Sequence, residues 1–307
     1  MVAISNYKNI IMIKHIPNLR SVKIPYEPFN SATALYRDCI HLIGFEFDGT
    51  ACFRKGAAAG PDEVRNKSPH IETFSPYLNN ETDNINCVDL GNLPVGDKVE
   101  QNWQLATDSF FEIIKNVDLN ANNVKFLVLG GEHSISYAPI VAYLKQYPDL
   151  ILIHLDAHAD LRDGYEGYHF SHAAIIRRVV EHFGAKHRLI QYGIRSGTKE
   201  EYEWMRKNKT LFDSRESFLN VIKAIPQSQP IYFTLDLDYF DPAYLPGTGT
   251  PEAGGEDFHS FIQLVKILKD KHFVGADVVE LAPFIDPTEN SAVFATKIVR
   301  ELLLALD

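Results

Sequence analysis

The stretch Ile151-Leu152-Ile153-His154-Leu155-Asp156-Ala157-His158-Ala159-Asp160 limits what this chain can fold into more than any other. It begins as a run of branched aliphatic residues, the pattern of a strand buried on both faces of a parallel sheet. It then changes into Asp-x-His-x-Asp. In an extended backbone successive side chains alternate faces, so Asp156, His158 and Asp160 are expected to point the same way. Two carboxylates and an imidazole at the end of an apolar strand are costly to desolvate alone. Either a polar cap of hydrogen-bonding partners or a bound divalent cation would meet that cost.

Similar apolar runs recur along the chain. Strands are expected at Cys39–Phe45, 85–89, Val124–Leu129, Arg188–Tyr192, Ile231–Asp236 and Phe273–Val279. Helical spacing marks Trp103–Val117, Ser134–Tyr147, Ser171–Phe183, Lys199–Asn208, Ser217–Ala224, Phe258–Leu268 and Ala292–Leu304. Pro61 sits where a helix over 61–65 would have its first turn. Strands separated by helices imply an α/β fold with a mostly parallel central sheet and helices on both faces. Residues 1–38, with Pro17, Pro25 and Pro28 and no sustained period, read as an N-terminal arm lying over the surface or onto a neighbouring subunit. Residues 39–307 show no repeat, low-complexity tract or linker and read as one domain.

Charge and cysteine content narrow the function. A formal net charge of −10 argues against a general nucleic-acid binder and suits a small cationic partner. Cys39, Cys52 and Cys87 are odd in number and lack CxxC spacing, as expected of reduced thiols in a cytoplasmic protein. The N-terminus lacks a signal peptide's apolar region and cleavage site, and no apolar run approaches a membrane span.

Three expected strands end in residues suited to chemistry. Gly130-Gly131-Glu132-His133-Ser134 follows the first, Asp156-x-His158-x-Asp160 the second, and Asp236-Leu237-Asp238-Tyr239-Phe240-Asp241-Pro242 continues the third. In a parallel sheet all three lie on one edge, where ligands of such folds bind. His133, Asp156, His158, Asp160, Asp236 and Asp238 would then form a cluster of four carboxylates and two imidazoles. Two metals satisfy four carboxylates better than one does, with some carboxylates bridging. Oxygen-rich ligation without thiolate favours Mn²⁺ over a structural zinc. Glu280, at the end of a further strand, could hold a guanidinium bidentately or stand as an exposed acid. Asp277 could support a metal ligand or pair with a nearby helix. His172, taken alone, reads as a capping or surface histidine. Asp241 reads as a turn residue, and the glycines of 247–255 as a loop shaping the pocket.

Together the motifs Gly130–Ser134, Asp156–Asp160 and Thr234-x-Asp236-x-Asp238-x-x-Asp241-Pro242 resemble the three signatures of the ureohydrolase family, which includes arginase and agmatinase. The resemblance covers roughly residues 39–305. Tyr165-Glu166-Gly167, Gly193–Gly197 and Pro246–Glu252 look more like agmatinase than arginase. The resemblance implies an arginase-like three-layer α/β/α fold, two Mn²⁺ per chain and hydrolysis of a guanidino group to urea and an amine. It implies that His133, Asp156, Asp160 and Asp236 bind one ion, and that Asp156, His158, Asp236 and Asp238 bind the other. It makes His172 a proton shuttle and Glu280 the guanidinium-binding acid, with Asp160 able to hydrogen-bond the hydroxide. It also suggests a homo-oligomer, trimeric or hexameric.

The favoured reading is hydrolysis of agmatine to putrescine and urea. Guanidinobutyrate, aminopropylagmatine, guanidine and arginine are alternative substrates. A single-zinc amide deacetylase is disfavoured by the full second ligand set, and a non-catalytic relative by the absence of lost ligands. In arginases the substrate α-carboxylate is held largely by Asn and Ser side chains of the loop before the shuttle histidine. Here that loop, 161–171, has no Asn, and its single Ser is Ser171, next to His172. Asp163 and Glu166 are expected to repel a carboxylate, and Arg162 to pair with a neighbouring acid.

Overall fold

The computed structural model describes residues 35–93 and 99–307; of the expected N-terminal arm, residues 1–34 lie outside them. The chain begins with β1 (Cys39–Phe45) and α1 (Gly60–Lys67), which has its proline in the first turn. A small antiparallel pair, β2 (Phe74–Ser75) and β3 (Asn80–Glu81), precedes β4 (Cys87–Asn92) and α2 (Val99–Ile114). Strand and helix then alternate through β5 (Val124–Gly130), α3 (Tyr137–Gln146), β6 (Ile151–Leu155), α4 (Ile175–Val180), β7 (Arg188–Tyr192) and α5 (Lys199–Asn208). The remaining elements are β8 (Leu211–Phe212), α6 (Arg215–Ala224), β9 (Ile231–Asp236), α7 (Phe258–Leu268), β10 (Phe273–Val279) and α8 (Asn290–Leu306).

Eight strands form one sheet in the order β4-β1-β5-β10-β9-β6-β7-β8, and every neighbouring pair in it is parallel. Alternate strand residues feed two apolar layers. Ile151, Ile153, Phe233 and Leu235 pack with Val64 of α1, Phe218 of α6, Phe261 of α7 and Ile298 of α8. Leu152, Tyr232, Phe126 and Val128 pack on the other face with Phe110 of α2, Tyr143 of α3, Ile176 of α4 and Met205 of α5. Four helices therefore cover each face, giving three layers, α/β/α. Burial of these aliphatic and aromatic side chains contributes most of the driving force for folding.

The expected strands match the structure closely, except that the strand at 85–89 lies at Cys87–Asn92. Two helices begin later than their periodicity suggests. His133–Ser136 and His172–Ala174 are single 3₁₀ turns placed before α3 and α4. Both turns stand at the carboxyl edge of the sheet and carry histidines of interest. Among the described residues no helix is long and apolar enough to cross a membrane.

Candidate metal centre

The edge of the sheet is shaped first by backbone. At the end of β5, Gly131 donates to the carbonyl of Phe45 and Glu132 to that of Phe47, both at 2.7 Å. A Cβ on Gly131 would lie 1.9 Å from the Phe47 oxygen, so only glycine permits this approach. His133 follows at once, its amide donating to Oε1 of Glu280 at 2.8 Å.

His133, Asp156, Asp160 and Asp236 converge. Nδ1 of His133 lies 3.0 Å from Oδ2 of Asp156, 2.9 Å from Oδ2 of Asp160 and 3.5 Å from Oδ2 of Asp236. All four residues are buried. The nitrogen nonetheless has no hydrogen-bond partner of acceptable geometry. Its far side is fixed, with Nε2 2.9 Å from the hydroxyl of Thr234, which donates to Oδ1 of Asp277 at 2.6 Å. Asp277 also accepts from Ser136 at 2.9 Å, so it supports the His133 side of the cluster rather than pairing with a helix.

Asp156, His158 and Asp238 form a second group. Nδ1 of His158 is 2.9 Å from Oδ2 of Asp238 and 3.5 Å from Oδ1 of Asp156. Asp238 accepts from the amide of Ala157 at 3.0 Å, which ties the turn after β9 to the turn after β6. Asp236 caps its own turn by accepting from the amide of Asp238. Asp156 thus turns one oxygen to each group. The two sets, His133, Asp156 and Asp160 in one and Asp156, His158 and Asp238 in the other, each place their donor atoms close enough to hold an ion, with His154 beside the first. An imidazole nitrogen left without a hydrogen bond among three carboxylates fits a divalent cation better than it fits a polar cap.

The backbone behind this differs from the expected one in one respect. Asp160 is not extended but left-handed, with φ of 54°. Its carboxylate still reaches His133, through a bend rather than through strand alternation. Burial, and then the charge of Asp156, pushes Asp160 up to about 7. Burial also raises Asp236 well above the carboxylate range, followed by the charges of Asp238 and Asp156. Such crowding is relieved by a cation.

His154 was not marked out in the sequence. Its Nδ1 faces Nε2 of Gln191 at 3.1 Å, and that amide nitrogen also donates to the carbonyl of Ala159 at 3.3 Å. A carbonyl only accepts, so the amide orientation is defined, and Nδ1 of His154 is the acceptor. Nε2–H of His154 is left to donate to Asp156. Its signal in the sequence is a polar residue inside an apolar run, shared by Gln191, Thr234 and Asp277, and the strand register aligns the four in one polar row.

His172 and Glu280 line the same cavity as His133, His158, Asp160 and Asp236. Glu280 is buried, and burial followed by the charge of Glu132 raises its pKa well above the usual range. Nδ1 of His172 lies 3.2 Å from the Thr50 hydroxyl, and burial is the largest cause holding the ring down at about 4. Thr250 and the 247–255 loop close one side of the cavity, anchored by Arg54 on the Thr248 and Gly249 carbonyls. Asp241 serves its loop, accepting from the amides of Ala243, Gly254 and Gly255.

The expected repulsion by Asp163 and Glu166 is not supported. Asp163 is bound by Arg178 at 2.6 Å, Glu166 is exposed, and neither lines the cavity. Arg162 does line it, stacked 4.4 Å over the Tyr165 ring and 3.9 Å from Oε2 of Glu201. Its charge is thus met by an acid, as expected.

A parallel sheet between two helical layers, with buried imidazoles and carboxylates converging across its carboxyl edge, defines an α/β/α protein equipped to hold metal. The arginase family model matches residues 38–305. The agmatinases of Bacillus anthracis and Bacillus subtilis are each 38% identical over 268 residues, covering 86% of this chain and 90% of theirs. The crystal structure of a putative agmatinase from Clostridium difficile superposes with a TM-score of 0.79 at 34% identity, covering 88% of this chain and 97% of that one. The chain belongs to the arginase family, a metal-dependent hydrolase family acting on guanidino compounds.

Proposed function

We propose that this chain hydrolyses agmatine to putrescine and urea with two Mn²⁺ ions, residues 39–307 forming one catalytic domain. The observation that carries the reading is Asp156, whose two oxygens face two separate groups of metal-type donors. His133, Asp156, Asp160 and Asp236 would hold one ion, and Asp156, His158, Asp236 and Asp238 the other. When bound, the ions supply a hydroxide nucleophile at neutral pH.

The guanidinium carbon is a poor electrophile because three nitrogens share its positive charge. Glu280 orients it. One Glu280 oxygen is engaged by the His133 amide, and the remaining lone pairs of the carboxylate receive the guanidinium. Asp160 accepts a hydrogen bond from the attacking oxygen and holds it on line. His172 carries the proton to the leaving amine, so that urea and a free amine separate. Arg162 is held by Glu201 and Tyr165, which leaves no ready partner for a substrate carboxylate among the cavity residues described. We further read the protein as a cytoplasmic homo-oligomer, trimeric or hexameric, which sedimentation of the purified chain tests.

The deciding experiment scores urea release from agmatine, arginine, guanidinobutyrate, aminopropylagmatine and guanidine. Agmatine is expected to lead. A lead by another guanidino compound would keep the chemistry and replace the substrate, while no urea from any of them would overturn the reading.

A further inference from the structure

The loop between β1 and α1 folds over the carboxyl edge and buries Thr50 beside Glu132 and His172. The Thr50 hydroxyl donates to Oε1 of Glu132. It also accepts from the backbone N–H of His172 at 3.2 Å and lies 3.2 Å from Nδ1 of the His172 ring. Glu132, fully buried, further accepts from the Thr50 amide at 2.7 Å and from the Ser134 hydroxyl at 2.6 Å.

A hydroxyl offers one proton and two lone pairs. The proton of Thr50 is directed to Glu132, so its lone pairs face His172. A ring nitrogen facing a lone pair carries its own proton, which places the neutral proton of His172 on Nδ1. The other nearby hydroxyl, Ser171, is farther from Nδ1 at 3.4 Å and accepts from the Ala173 amide. The edge-to-face contact with Tyr165, centroids 5.8 Å apart, restrains the ring from another side.

We propose that Thr50 is a positioning residue for His172, linking it to Glu132 so that proton exchange with the cavity runs through Nε2. The inference rests on the reading of His172 as the proton carrier. In each turnover Nε2 takes one proton from the attacking water and gives one to the leaving amine, while Thr50 and Glu132 exchange none. The Glu-Thr-His link joins two motifs that are far apart in the chain, and it assigns work to Glu132, which neither ion needs.

The test uses the manganese-loaded full chain with four variants. Thr50→Val and Thr50→Ala remove the hydroxyl, Thr50→Ser keeps it, and His172→Ala removes the carrier. The expected result is a kcat lowered about tenfold in Thr50→Val, with KM and manganese content near the parent values, and recovery of most of the rate in Thr50→Ser. Thr50→Ala reports the same loss should valine prevent folding. Parental kcat in the hydroxyl-less variants, or equal impairment of Thr50→Ser and Thr50→Val, would overturn the role of Thr50. Parental turnover in His172→Ala would instead overturn the reading of His172. A loss in His172→Ala without one in Thr50→Val removes the Thr50 proposal alone.

Discussion

Nε2 of His154 donates to Oδ2 of Asp156 across 2.8 Å, from the buried polar row that His154 shares with Gln191, Thr234 and Asp277. Burial lowers the pKa of His154, which keeps the ring neutral and makes it a pure donor on that side. A hydrogen bond of this kind aims a carboxylate and sharpens its affinity for metal. His154→Leu is expected to weaken manganese binding about tenfold or more while the chain stays folded. Titration of the metal-free protein, with free Mn²⁺ followed by electron paramagnetic resonance, measures this. An unchanged affinity would reduce His154 to a buried polar residue with no bearing on the site.

Asp156 serves both donor groups, whereas His133 serves one. Asp156→Ala is therefore expected to abolish activity more completely than His133→Ala, and so is Asp236→Ala if Asp236 bridges the ions as proposed. Elemental analysis of the fully active parent is expected to find about two manganese ions per chain. One tightly held zinc, with a rate indifferent to added manganese, would contradict this.

Substrate choice follows from how Arg162 is used. Among the described cavity residues the one guanidinium, Arg162, stacks on Tyr165 and lies 3.9 Å from Glu201, so a substrate carboxylate finds no unengaged guanidinium there. The loss is several kcal/mol, so kcat/KM for agmatine is expected to exceed those for arginine and guanidinobutyrate by roughly a hundredfold or more. Arg162→Ala should leave that order in place. Comparable rates on arginine would show that the site does hold a carboxylate.

His41, on β1 and far from the metal donors in sequence, gives the fold an acid sensitivity. Nε2 accepts from the Tyr36 amide at 3.1 Å, and Nδ1 lies 3.4 Å from the Lys125 carbonyl, an arrangement that fits only the neutral ring. Burial holds its pKa down at about 4 against the ordinary 6.5. Above the ordinary value neither folded nor unfolded chain binds this proton, and stability is unaffected. Between about 6.5 and about 4 the unfolded chain takes up a proton that the folded one refuses. Stability then falls by an amount on the order of 3 kcal/mol. His41→Gln should flatten that part of the stability curve, measured by denaturant unfolding at several pH values. Parallel curves for parent and variant would refute it.

Much of this architecture is legible in the sequence, for a physical reason. Strands buried on both faces leave unbroken aliphatic runs, and β1, β6, β7, β9 and β10 begin and end where those runs do. The two-residue strands β2, β3 and β8 are too short to carry a period and went unseen. Nothing in residue type separates the 3₁₀ turns at His133 and His172 from the helices after them. Convergence of the eight site residues follows once the sheet is parallel. The left-handed bend at Asp160 does not, because tertiary contacts rather than its own preference hold it. Thr50 was missed for a similar reason. It meets Glu132 across 82 positions of chain, which no periodicity records.

Sheet order carries a consequence for how the protein is made. β10, the last of the described strands in chain order, is the one that lies between β5 and β9. Without β10 the remaining strands can pair only as two half-sheets, β4-β1-β5 and β9-β6-β7-β8, each with one edge that β10 would cover. His133 belongs to the first half, the aspartates facing its ring to the second, and Glu280, which its amide meets, follows β10 itself. Unpaired edges of that kind are the surfaces on which neighbouring chains pair, so placing β10 removes two of them at once. The group of His133, Asp156 and Asp160 is complete only once the halves are joined, so its affinity for a metal ion is a property of the closed sheet.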